Sequence, residues 1–152
     1  MQLLFKFDPL FQVQANNSAD LMKSHGVVLS GAADRILSTK IVYPYHQSVK
    51  LELLAADSDL GFNDGTDLVE VFCRIASFGF VECQLGLLIP YFMHVTEHGG
   101  IREPVVIYMP STVKSPNVLM CKIYNKKWNV IADDTAFLRY WSYHSRFLVA
   151  AL

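Results

Sequence analysis

The clearest periodic block in this chain is helical. Leu68, Val71, Phe72, Ile75 and Phe78 recur at three- and four-residue spacing, which puts them on one face of a helix over about residues 66–78. Glu70 and Arg74 stand one turn apart on the other side, where they can form an ion pair, and Gly79 supplies the stop. The polar stretch Asp57 to Thr66 ahead of it reads as a loop.

Shorter blocks flank this helix. Leu3 to Phe7 alternates weakly and predicts a short strand or an apolar arm, broken at Asp8-Pro9. Ser18 is placed to cap a short helix through Met22 that ends at Gly26. Val27 to Leu29 predicts a brief buried strand, and Gly31 to Asp34 a turn. Lys40 to Tyr45 and Ser48 to Leu54 are rich in strand formers. Phe80 to Ile89 predicts a strand with a bulge at Gly86, and Pro104 to Met109 another. Val118 to Tyr124 and Trp128 to Ile131 predict a hairpin across Asn125-Lys126-Lys127. Asp133-Asp134-Thr135 are placed to cap a long terminal helix over about 135–152. The expected fold is α+β: one domain over 1–152, with a mostly antiparallel sheet packed by the central and C-terminal helices and an apolar arm at 1–14.

Composition changes that picture in one respect. Apolar residues make up 52% of the 152 and charged residues only 18%, with a mean hydropathy of +0.26. Soluble domains average about 45–50% and 25%, so apolar side chains are in surplus. No membrane span absorbs them: the longest apolar stretch, Leu85 to Met93, is about half the required length and contains Pro90. The surplus therefore predicts a surface covered by another macromolecule. Both chain ends qualify. Leu4, Phe5, Phe7 and Phe11 crowd the first, and Phe137, Tyr140, Trp141, His144, Phe147 and Leu148 line one face of the expected terminal helix. Arg139, Tyr143 and Arg146 add the residue types enriched at protein interfaces.

Net charge and cysteines narrow the setting. A formal charge of −1 gives no overall field for nucleic acid or an anionic membrane, so either would need a local patch. Lys122, Lys126 and Lys127, interleaved with Tyr124 and Trp128, are too few to predict nucleic acid binding. Cys73, Cys83 and Cys121 lie in apolar segments without ligand spacing, which predicts buried free thiols rather than a Cys73–Cys83 disulfide. The N-terminal segment has no basic n-region or small-residue cleavage site, which predicts cytoplasmic residence, or a place within a virion.

Two motifs carry candidate chemistry. His94-Val95-Thr96-Glu97-His98 matches HxxEH, in which His94 and His98 grip one zinc ion from a helix and Glu97 serves as general base. The segment allows barely two helical turns, and the only nearby downstream carboxylate, Glu103, is too close to complete the site. A polar loop after a buried strand is the preferred reading, with a zinc-dependent hydrolase as the alternative. Asp57, Asp59, Asn63, Asp64 and Asp67 suggest a calcium loop but fail the EF-hand register, and a turn followed by a helix cap explains them. Without a complete catalytic set, the sequence points to a non-catalytic protein–protein interaction or assembly protein that binds a protein partner or a second copy. A subunit of a larger complex, such as a viral or phage structural component, fits that class, as does a small inhibitor or immunity-type binder using the acidic loop.

Overall fold

The computed structural model describes residues 5–6, 17–39, 50–83, 104–110 and 117–151. Within them, β1 (Phe5–Lys6) precedes α1 (Ser18–Ser24), β2 (Val28–Leu29) and α2 (Gly31–Ser38). Asn17, one residue ahead of the expected cap, accepts the Asp20 amide at 2.9 Å and starts α1, while Ser18 is buried in the first turn. Gly26 ends this unit at φ +79°, a left-handed conformation that glycine adopts without strain. The expected turn at Gly31 is instead the first turn of α2. Ser30 caps that helix by accepting the Ala33 amide at 3.2 Å, and Ala33 and Leu37 are its buried residues.

β3 (Lys50–Ala55) is followed by the polar loop and then α3 (Leu68–Ser77), the expected central helix. Asp67 caps it through the Glu70 amide at 2.8 Å, and Leu68, Val71, Phe72 and Ile75 form its buried face. The Glu70–Arg74 pair does not form. Glu70 accepts the Thr66 hydroxyl at 2.8 Å, while Arg74 donates to the Leu60 carbonyl at 2.8 Å and lies 4.1 Å from the Phe62 ring centroid. An exposed helical ion pair contributes only about 0.2–0.5 kcal/mol, so a local donor for Glu70 and a local acceptor for Arg74 displace it readily.

β4 (Val105–Ile107), β5 (Val118–Tyr124), β6 (Lys127–Asp133) and β7 (Arg146–Ala151) complete one sheet in the order β1-β3-β7-β4-β5-β6-β2. The pairs β1–β3, β3–β7, β4–β5 and β5–β6 are antiparallel; β4–β7 and β2–β6 are parallel, so the sheet is mixed. Asn125 and Lys126 join β5 to β6 at φ +50° and +61°, the two positive values of a type I′ hairpin turn. β6 consequently begins one residue earlier than expected and runs on to Asp133.

The expected C-terminal helix over 135–152 is absent. Asp133 accepts both the amide and the hydroxyl of Thr135 at 2.9 and 2.8 Å, closing a local turn. A single 3-10 turn, Ala136–Leu138, follows, and the chain then extends into β7. β7 lies between β3 and β4 and is buried on both faces. Phe147 and Val149 join the cluster beneath α3, whereas Leu148 and Ala150 join the one beneath α1 and α2. A strand covered on both sides has no reason to alternate, so it reads as a continuous apolar run. The helical spacing of Phe137, Tyr140, Trp141, His144 and Phe147 is coincidental.

Helices on both faces of the sheet account for much of the apolar surplus. Leu51, Leu53, Val105, Ile107, Leu119, Cys121, Trp128 and Val130 face α1 and α2; Leu54, Val106, Tyr108 and Val118 face α3 and the loop that carries Leu60 and Phe62. Of the remaining expectations, Val81 makes an isolated bridge to Ala150. The strand over Lys40 to Tyr45, the rest of Phe80 to Ile89 beyond Cys83, and the arm at 1–14 apart from Phe5 and Lys6 lie outside the described residues. No helix among the described residues is long and apolar enough to cross a membrane.

Candidate partner-binding surface

The candidate site residues fall in different places. His94, Glu97 and His98 lie outside the described residues, as do Leu4, Phe7 and Phe11. Among the described residues, no group of three or more His, Cys, Asp or Glu side chains is placed to hold a metal ion. Phe5 belongs to β1, opposite Leu51. Arg146 opens β7, half-buried, opposite Ala55 on one side and Val105 on the other. Arg139 and Tyr143 come together on the β6–β7 connection, residues 134–145.

This connection is pinned at several points. Thr66 and Trp141 exchange both backbone hydrogen bonds, at 3.1 and 2.7 Å, and the buried indole N–H of Trp141 donates to the Ala136 carbonyl at 2.8 Å. Arg139 lies over the same indole, 4.0 Å from the ring centroid, and donates to the Asp133 carboxylate at 2.6 Å. The far end is tied to the polar loop. Asp57 and Ala56 donate backbone hydrogen bonds to the carbonyls of Tyr143 and Ser145, and His144 Nδ1 stands 3.7 Å from the Asp57 carboxylate. Tyr143 and His144 place their rings 3.9 Å apart.

On that fixed backbone, large side chains point outward. Leu138 is 86% exposed, Tyr140 78% and Tyr143 42%. Beside them an open groove of about 290 Å³ is lined by Val106, Met120, Pro104, Trp141, Arg139, His144 and the two serines Ser142 and Ser145. Its floor is sheet, from β4 and β5, and its wall is the pinned connection. The surface offers an apolar floor, an aromatic wall and a few hydrogen-bond donors at the rim. Aromatic, methionine and arginine side chains are residue types enriched at protein interfaces.

The electrostatics hold the wall in place. Partial burial alone would raise the Asp133 carboxyl, but the hydrogen bonds from Arg139 and from the Thr135 hydroxyl and amide outweigh it and hold the group below its usual range. A hydrogen bond from the Ser58 amide, opposed by desolvation and helped by His144 and Arg146, does the same for Asp57. Three carboxylates of the acidic segment serve its turns and the cap of α3. Asp57 accepts the Ser58 amide, Asp59 the Ala55 amide and Asp67 the Glu70 amide, which is the turn-and-cap arrangement anticipated for these residues.

No disulfide joins Cys73, Cys83 or Cys121. Cys83 and Cys121 are buried as expected, and burial pushes Cys83 up to about 12 and Cys121 strongly in the same direction. Cys73 departs from expectation. It is exposed on α3, on the side of the helix away from Leu68, Val71, Phe72 and Ile75.

No family model matches this chain, and neither a curated protein nor a solved structure matches it. The surface therefore stands on its geometry. The sequence singled out Arg139 and Tyr143, and counted Tyr140 and Trp141 in an apolar face, but all four were expected on a helix; Leu138 was not among the expected contacts. The usable signal was the segment Leu138-Arg139-Tyr140-Trp141 itself, where aromatic and arginine residues are concentrated between two strands.

Proposed function

We propose that this protein is a non-catalytic interaction or assembly module whose partner surface is the β6–β7 connection and the groove beside it. One observation carries the reading: Leu138 and Tyr140 are almost fully solvent-exposed on a backbone pinned by Trp141, Arg139 and Thr66. Large apolar side chains on a pinned backbone spare the cost of ordering a loop when a partner covers them, and aromatic and arginine residues dominate binding energy. Arg139 and Tyr143 remain contacts in this reading. Arg146 and the terminal segment serve the sheet instead.

The partner is a protein chain, whether another component of a larger complex or a second copy. A subunit of a cytoplasmic or virion assembly and an inhibitor that plugs another protein's site both use such a surface. The test is affinity capture from the producing cell with the wild-type chain, Leu138→Ser/Tyr140→Ser, and Val69→Ser/Phe78→Ser, which removes exposed apolar side chains at the two ends of α3 instead. Loss of the captured protein only with the first variant supports the reading. Equal capture by all three chains contradicts it.

A further inference from the structure

A second surface lies at the other end of the β5–β6 hairpin, and its chemistry differs. The tip carries Ile123 and Tyr124, 41% and 63% exposed, with Lys122, Lys126 and Lys127 around them. Adjacent strand residues point to opposite faces, so the aliphatic and aromatic side chains flank the tip on both sides. Asn125 and Lys126 hold it in a tight two-residue turn, and Trp128, opposite Ile123, is buried as its anchor. Val28, also exposed, lies across β6 at the level of Asn129, extending the apolar surface toward the sheet edge. Among the described residues, the three lysines have no carboxylate partner within 4.0 Å; the ion pairs there are those of Lys23, Arg139 and His144.

We propose that this hairpin tip is a peripheral docking site for an anionic lipid surface. Three uncompensated lysines match a negatively charged headgroup layer, and they do so locally, on a chain whose overall charge is −1. The side chains they surround decide between lipid and nucleic acid. An exposed isoleucine offers a base no stacking face, whereas the boundary between headgroups and acyl chains takes up aliphatic and tyrosine side chains together. Lysine stems lie along apolar surface while their ammonium groups reach the headgroups. The tight turn fixes the backbone that carries these side chains, so no loop has to order on binding.

Co-sedimentation with lipid vesicles tests this. The probes are pure phosphatidylcholine vesicles and vesicles containing about one-third phosphatidylserine, at low salt. The full chain should sediment with the second and not the first. Lys122→Gln/Lys126→Gln/Lys127→Gln should weaken partitioning by about a hundredfold, from roughly fivefold per lysine. Ile123→Ser/Tyr124→Ser should weaken it with all lysines present, and Leu138→Ser/Tyr140→Ser should not change it, which separates this site from the protein-binding surface. Circular dichroism of each variant should match the wild type, since all of these positions are exposed or half-buried. No binding to the anionic vesicles overturns the proposal. So does binding that survives the lysine variant. Binding of a single-stranded RNA oligonucleotide that depends on the lysines, with no vesicle binding, overturns it in favour of nucleic acid.

Discussion

Arg139 sits over the indole of Trp141, 4.0 Å from its centroid, while its guanidinium is held by Asp133 at the end of β6. The two residues lock the β6–β7 connection from inside and outside: the buried indole hydrogen-bonds Ala136, and the half-exposed guanidinium closes over it. The exposed Leu138 and Tyr140 are presented by this lock.

Trp141→Phe keeps most of the apolar volume but removes the indole N–H, leaving the Ala136 carbonyl without its donor. Global stability in urea unfolding should fall by about 1–3 kcal/mol, and proteolysis should become faster within 134–145. Unchanged stability would mean the indole is not an anchor.

Phe147 is fully buried in the middle of the sheet. Phe147→Ala should cost about 3–5 kcal/mol in the same assay, the range for deleting a core aromatic side chain. A loss under about 1 kcal/mol, with partner binding abolished, would return the terminal segment to the role of an interface.

Thiol reactivity separates the three cysteines. In the folded chain Cys73 should react promptly with an aromatic disulfide reagent, and Cys83 and Cys121 should react only on unfolding, because they are buried and burial disfavours their thiolates. Three equally fast thiols in the native state would contradict the packing of the sheet against α1 and α2.

Acid should loosen the same connection. The folded-state carboxyl of Asp133 titrates below its ordinary value of 3.8. Its ionised form therefore contributes stability that is fully present above that value and is lost as pH falls through the lower, folded-state value. Stability measured from neutral pH downward should show this loss in the wild type and a smaller one in Asp133→Asn. Identical acid profiles would remove the Asp133–Arg139 pair from the account.

The sequence was legible where one face of an element is wet. α3 has a polar side, so its apolar residues stand out at helical spacing, and the β5–β6 hairpin has a turn with its own residue signature. It was misleading where both faces are covered. Phe147 to Ala151 carries no polar residue to mark alternate positions, and the aromatic residues before it fall by chance at helical intervals. Ser30 was a readable cap for α2, but Gly31 beside it suggested a turn. At the candidate surface, residue type was legible and geometry was not. Arg139 and Tyr143 are residue types enriched at interfaces, whereas the backbone hydrogen bonds that pin their connection, at Trp141 and Tyr143, run to Thr66 and Asp57, more than seventy positions earlier in the chain.

The most direct test is an amide hydrogen-exchange footprint of the chain, free and bound to its captured protein partner. The account predicts that 147–150 are strongly protected in both states, because β7 is the interior of the sheet, and that protection is gained across 137–145. Protection gained elsewhere with 137–145 unchanged, or free exchange along 147–150 that slows only in the complex, would contradict it.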